Sequence, residues 1–129
     1  MEKVLRIAKE YLEERIESIK KIEKNLETLA KRAKKLLGKE TKIYVFGSYV
    51  KGNFDKFLSD VDVLIVSKRV EKFKNMLERA EVIAKLKKGI KGAYIFEIHL
   101  VAPSEFEYYK FFVDKMTEIK TKKEKLLDR

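Results

Sequence analysis

Phe46-Gly47-Ser48-Tyr49-Val50-Lys51-Gly52, separated by six residues from Ser59-Asp60-Val61-Asp62-Val63-Leu64-Ile65-Val66, decides the reading of this chain. Lys42–Phe46 is β-rich and runs into the small-residue turn Gly47-Ser48, so it predicts a strand that closes on a turn. Residues 49–59 predict a loop or short helical turn, with Gly52, Asn53 and Asp55 as turn formers. Residues 60–66 predict a second strand. Side chains alternate along a strand, so Asp60 and Asp62 share one face while Val61, Val63 and Ile65 enter the opposite layer. Two carboxylates about 6.6 Å apart along the backbone repel unless a cation joins them. Taken alone, an Asp-x-Asp reads more readily as a loop cap followed by an edge-strand residue. A phosphate-sized turn ahead of it changes the balance: glycine admits close backbone approach, turn amides bind anions, and Ser48, Lys51 and Ser59 add polar donors.

Outward from this centre the pattern stays simple. Residues 2–37 have helical periodicity, with Leu5, Leu12, Ile19, Leu26 and Ala33 recurring every seven positions, interrupted by Arg15 in the interleaved row, and stopped by Gly38. A straight helix of that length would span about 54 Å. A compact chain of this size has a radius of gyration of about 14 Å, so a bend near Arg15–Ser18, a second helix or a partner is expected. Residues 71–87 predict a helix, Tyr94–Val101 a third strand, and Pro103 opens a last helix carrying Phe106, Tyr109, Phe112, Val113 and Met116. Ser104 and Glu107 have capping-box spacing, and Lys120–Arg129 continues that helix or frays. The expected class is α/β (α+β): a small mixed sheet covered by helices, with a helical segment at 1–38 and the sheet-bearing domain at 39–129.

Composition narrows the chemistry. The chain has 129 residues, no cysteine and one histidine, which excludes disulfides, thiolate catalysis and multi-histidine metal sites. Any metal would be a hard ion on oxygen ligands. The formal charge of +10 favours anionic partners, nucleotides or nucleic acid among them, although Lys and Glu enrichment also fits adaptation to high temperature. No apolar run reaches membrane-spanning length, so a cytoplasmic protein with no membrane partner is expected. Glu97, in the middle of the third predicted strand with His99 on its face, offers a third carboxylate.

These residues together resemble the polymerase-β-like nucleotidyltransferase superfamily, in particular its minimal archaeal and bacterial members. The resemblance runs in order from residue 42 to about 101. It implies that Gly47 and Ser48 contact the triphosphate, and that Asp60, Asp62 and Glu97 are the catalytic metal ligands for Mg²⁺ or Mn²⁺. It further implies transfer of a nucleoside monophosphate, AMP foremost, from a nucleoside triphosphate to a hydroxyl acceptor. Lys51 is a candidate for stabilising the leaving pyrophosphate and Ser59 for nucleotide contact. Three departures stand out: eleven residues between Ser48 and Asp60 where ten is common, Lys51 where Arg is frequent, and Glu97 in place of Asp. The rival expectations are an antitoxin-like module pairing with a helical HEPN-type protein and a decayed domain that binds nucleotide or nucleic acid. A homodimer through the N-terminal helix is a further expectation.

Overall fold

A computed structural model describes residues 1–127. The predicted N-terminal helix is two helices, α1 (Glu2–Lys20) and α2 (Ile22–Leu37), and the break falls at Lys21 rather than at Arg15–Ser18. There the Lys21 N–H bonds back to the Ser18 carbonyl three residues earlier and the helical ladder is interrupted. α2 presents one apolar face: Ile22, Leu26, Leu29, Ala30, Ala33 and Leu37 are all buried.

That face lies on a four-stranded mixed sheet. Its members are β1 (Lys42–Phe46), β2 (Val61–Val66), β3 (Phe96–Val101) and β4 (Met116–Glu118), in the order β3-β2-β1-β4. β1 is antiparallel to both of its neighbours, and β2 is parallel to β3. One sheet face carries Ile43, Val45, Val61, Val63, Ile65, Phe96, Ile98 and Leu100 into the main core, with α2 and α4 (Met76–Lys87) above it. Arg32 on α2 ties the two helices by donating to the carbonyls of Leu86 and Lys88, at 2.8 and 2.6 Å. The other face carries Leu64, Val66 and Val101 against Phe106 and Tyr109 of α5 (Pro103–Phe112). The central strand β2 is thus covered on both sides, which accounts for its continuous apolar run. Asp62 is its one residue that is not buried.

Elsewhere the structure corrects local expectations. The third strand starts at Phe96, after a 3₁₀ turn at Ala93–Ile95. A second 3₁₀ turn at Lys68–Lys72 precedes α4, which is capped by the Asn75 side chain accepting from Glu78 N. The last predicted helix ends at Phe112, and Met116 lies in β4 instead, paired with Phe46. Ser104 and Glu107 make no capping box: Glu105 reaches back to the Ala102 N–H at 3.0 Å, because Pro103 already occupies the first helical position. The lysine-rich end neither continues α5 nor frays within the described residues. It forms α6 (Lys122–Leu127), where Thr121 and Glu124 bond each other's backbone N–H; Asp128 and Arg129 lie outside the described residues. Among the described residues no helix is long and apolar enough to cross a membrane.

Candidate active site

The parallel pairing of β2 with β3 sets Asp62 opposite Glu97 and Leu64 opposite His99, all on the α5 face of the sheet. Asp62, Glu97 and His99 each offer a ligand atom within 4.8 Å of the others. His99 Nε2 stands 3.9 Å from Asp62 Oδ1 and 3.8 Å from Glu97 Oε1. Its other nitrogen, Nδ1, faces the Tyr109 hydroxyl at 3.3 Å, and the rings of Phe46 and Tyr109 pack around it. The imidazole is therefore oriented from α5 and β1 while its free end points at the two carboxylates. Burial pushes the Asp62 carboxyl above the usual carboxylate range, and the neighbouring Glu97 adds to the rise through its charge and a side-chain hydrogen bond. A pair in that state gains from a bound cation, and its two oxygen donors suit a hard divalent ion.

The predicted glycine turn abuts the same carboxylate. Gly47 has φ +78°, and a Cβ built there would drive into the Asp62 carboxylate, so β1 can end beside this side chain only with glycine at 47. Ser48 then begins the single-turn helix α3 (Ser48–Lys51), whose Val50 and Lys51 N–H groups both donate to the Gly47 carbonyl at 3.1 Å. Lys51 pairs with Asp114 at 3.7 Å, both exposed, and so bridges α3 to the segment that runs into β4.

Asp60 and Ser59 sit just ahead of β2. The Asp55 carboxylate accepts from the Phe57 and Leu58 N–H groups at 2.8 and 3.0 Å, while the Ser59 hydroxyl accepts from Asp55 N at 2.9 Å. The loop is therefore folded on itself, with the Ser59 hydroxyl turned inward to Asp55. Asp60 is exposed and lies outside the set formed by Asp62, Glu97 and His99. Its charge still raises the Asp62 carboxyl, as the smallest of the contributions there.

Three residues of this neighbourhood carry no role in the sequence reading. His99 was legible in principle, being two residues from Glu97 on one strand. Lys87, at the end of α4, carried no signal: burial lowers its ammonium, while the charges of Asp60 and Glu97 oppose that fall. Arg15 interrupts an apolar seam in the sequence, yet it is buried and donates to the carbonyls of Lys56 and Ser59.

Comparison with known proteins identifies the family and the fold. A family model described as a nucleotidyltransferase domain matches residues 19–128. A crystal structure of a protein provisionally assigned as a nucleotidyltransferase is 30% identical, with a TM-score of 0.54 over 70% of this chain and 92% of that one. A second, from Sulfolobus solfataricus and assigned in the same provisional way, shares the fold at 21% identity. Its TM-score is 0.59, over 85% of this chain and 89% of that one. No protein of curated function matches significantly.

Proposed function

This chain belongs to the nucleotidyltransferase domain family, and from that premise we propose that it transfers a nucleoside monophosphate, AMP foremost, to a hydroxyl acceptor. The observation that carries the reading is the register of β2 on β3, which puts Asp62 beside Glu97 with Gly47 packed against Asp62. Asp60, Asp62 and Glu97 would hold Mg²⁺ or Mn²⁺, which when bound neutralises phosphate charge and lowers the pKa of an acceptor hydroxyl. In the reaction the acceptor oxygen forms a bond to the α-phosphorus. The bond from that phosphorus to the bridging oxygen of the β-phosphate breaks, and pyrophosphate leaves with the electron pair. Glu97, exposed at the mouth of the set, receives the acceptor's proton and passes it to solvent. Gly47 lets the turn close directly against Asp62, which brings the Ser48 hydroxyl donor next to the acids. Lys51 exchanges Asp114 for the leaving pyrophosphate, an easy exchange because surface ion pairs are weak. Positioning and charge neutralisation are then the protein's main contributions.

The test is incubation of the full chain with each labelled nucleoside triphosphate, Mg²⁺ or Mn²⁺, and protein or RNA acceptors. Metal-dependent transfer of label is expected, falling by more than about 100-fold in Asp62→Asn, beyond the usual cost of losing only a supporting group. Equal labelling by wild type and variant would remove the assignment.

We read α1 as the contact for a second copy of the chain. Residues 1–13 are all exposed, and Val4, Leu5, Ile7, Leu12 and Ile16 lie largely uncovered on α1. The helix is also mildly polarised: Lys3, Arg6 and Lys9 stand against Glu2 over residues 2–9, and Glu10, Glu13, Glu14 and Glu17 against Arg15 and Lys20 over residues 10–20. Antiparallel pairing about a two-fold axis sets each basic half on the other copy's acidic half, which favours a homodimer over an unrelated helical partner.

A further inference from the structure

One turn of α1 touches both segments that lead into the acid-bearing strands. Arg15 is 2% exposed, and its Nε donates to the Lys56 carbonyl at 2.6 Å while Nη2 donates to the Ser59 carbonyl. Those carbonyls belong to the loop that delivers Asp60 and Asp62. On the same turn, Glu14 accepts from the Gly92 N–H at 3.1 Å and the Ser18 hydroxyl donates to the Gly92 carbonyl at 2.9 Å. Gly92 opens the turn that delivers Glu97 and His99. The fit there is close, since a Cβ on Gly92 would lie 2.6 Å from Ser18 Cβ. Because β2 and β3 are parallel, the two lead-in segments lie at the same end of the sheet, and a single helical turn spans them. Glu14, Arg15 and Ser18 precede the region matched by the family model, which begins at residue 19. A buried guanidinium is costly unless its donors are used. Here two donors of one rigid fork fix two carbonyls three residues apart, a geometry that a lysine ammonium does not reproduce.

We propose that Arg15 is a positioning residue of the acid site: with Glu14 and Ser18 it holds the Lys56–Ser59 loop against the Gly92 turn, and so sets where Asp60 stands relative to Asp62 and Glu97. This rests on the assignment of those three acids to a divalent ion. The experiment titrates the full chain with Mn²⁺, reading free Mn²⁺ by electron paramagnetic resonance. Hydrogen exchange of residues 57–60 is followed in parallel, for wild type, Arg15→Ala, Arg15→Lys, Tyr11→Ala and Asp62→Asn. Tyr11→Ala removes the stacking of Tyr11 on Tyr94, at 5.3 Å, and loosens α1 without touching the loop. Expected is Mn²⁺ affinity about 10-fold weaker in Arg15→Ala, the usual scale for a group supporting metal ligands. Exchange at 57–60 should quicken in the same variant, and millimolar guanidinium should restore both. Arg15→Lys should fall between, and it serves as the test variant if Arg15→Ala does not fold. Tyr11→Ala should bind Mn²⁺ within about twofold of wild type. Wild-type affinity in a folded Arg15 variant, or an equal loss in Tyr11→Ala, would overturn the positioning role. Should wild type bind no more Mn²⁺ than Asp62→Asn, the acid assignment falls instead. Exchange then decides the loop's dependence on Arg15, and unchanged protection at 57–60 overturns it.

Discussion

At the scale of single residues, Gly47 and Asp62 are one unit. The glycine is in the left-handed half of backbone space and the carboxylate occupies the volume where a side chain would begin. Gly47→Ala is therefore expected to cost about 1–3 kcal/mol, combining an unfavourable φ with displacement of Asp62. Urea unfolding of variant and wild type measures it, and a loss under about 0.5 kcal/mol would mean that the turn relaxes freely. Asp62 predicts a pH effect whose sign follows from its raised pKa. The fold disfavours the charged form, so metal-free protein loses stability as pH rises through the unfolded value of about 3.9 toward the higher folded value. Asp62→Asn should thus melt above wild type at pH 7 in EDTA, with the gap closing in acid. Saturating Mg²⁺ or Mn²⁺ should reverse the order, since a ligand at 100 times its dissociation constant adds about 2.7 kcal/mol. Melting curves that respond to metal equally in both proteins would place the ion elsewhere.

At the scale of elements, the link between α4 and α5 explains how Tyr109 is held against His99. Arg79 on α4 pairs with Glu105 on α5 at 3.0 Å and also donates to the Leu100 carbonyl at the same distance. The Arg79 hydrogen bond holds the Glu105 carboxyl below the usual carboxylate range. A depressed carboxyl adds stability above its unfolded pKa, about 4.3, and loses it as pH falls through the folded value. Glu105 is partly exposed, so Glu105→Gln should cost only about 0.5 kcal/mol at pH 7 after screening, and the cost should vanish once pH falls below the folded value. Thermal melts across that range test it; a cost independent of pH would assign the effect to the helix cap alone. Legibility in the sequence divided along the same lines. α2, β1, β2 and α4 announced themselves through periodicity and their stop signals. β4 did not, because Met116-Thr117-Glu118 is too short for alternation and exists only through pairing with β1. The Lys21 break was equally silent, lacking proline or glycine.

At the scale of the whole molecule, α1 is half anchored and half projecting. Its second half reaches the Gly92 turn and the Lys56–Ser59 loop, whereas residues 1–13 are exposed. Isolated helical turns of that length are marginal in water, so the projecting part needs cover. Sedimentation should find wild type dimeric at micromolar concentration and Leu5→Glu with Leu12→Glu monomeric, since each buried leucine contributes about 1.5–3 kcal/mol. The dimer should also weaken in high salt, because its two halves are of opposite charge. A wild-type chain that stays monomeric at high micromolar concentration ends this reading and leaves a dedicated partner to cover the stripe.

By itself the sequence determined the α/β class, the glycine turn, and the parity that keeps Asp62 apart from Val61, Val63 and Ile65. Each of these follows from local chemistry: strand alternation, the freedom of glycine, and the cost of a carboxylate in an apolar run. Tertiary structure alone decided that Asp62 faces Glu97, that His99 is turned toward both by Tyr109, and that Arg15 braces the loop before Asp60. Strand register and helix docking join residues tens of positions apart, from Arg15 to Ser59 and from Asp62 to Glu97. No local pattern encodes a pairing that only the burial of two sheet faces selects.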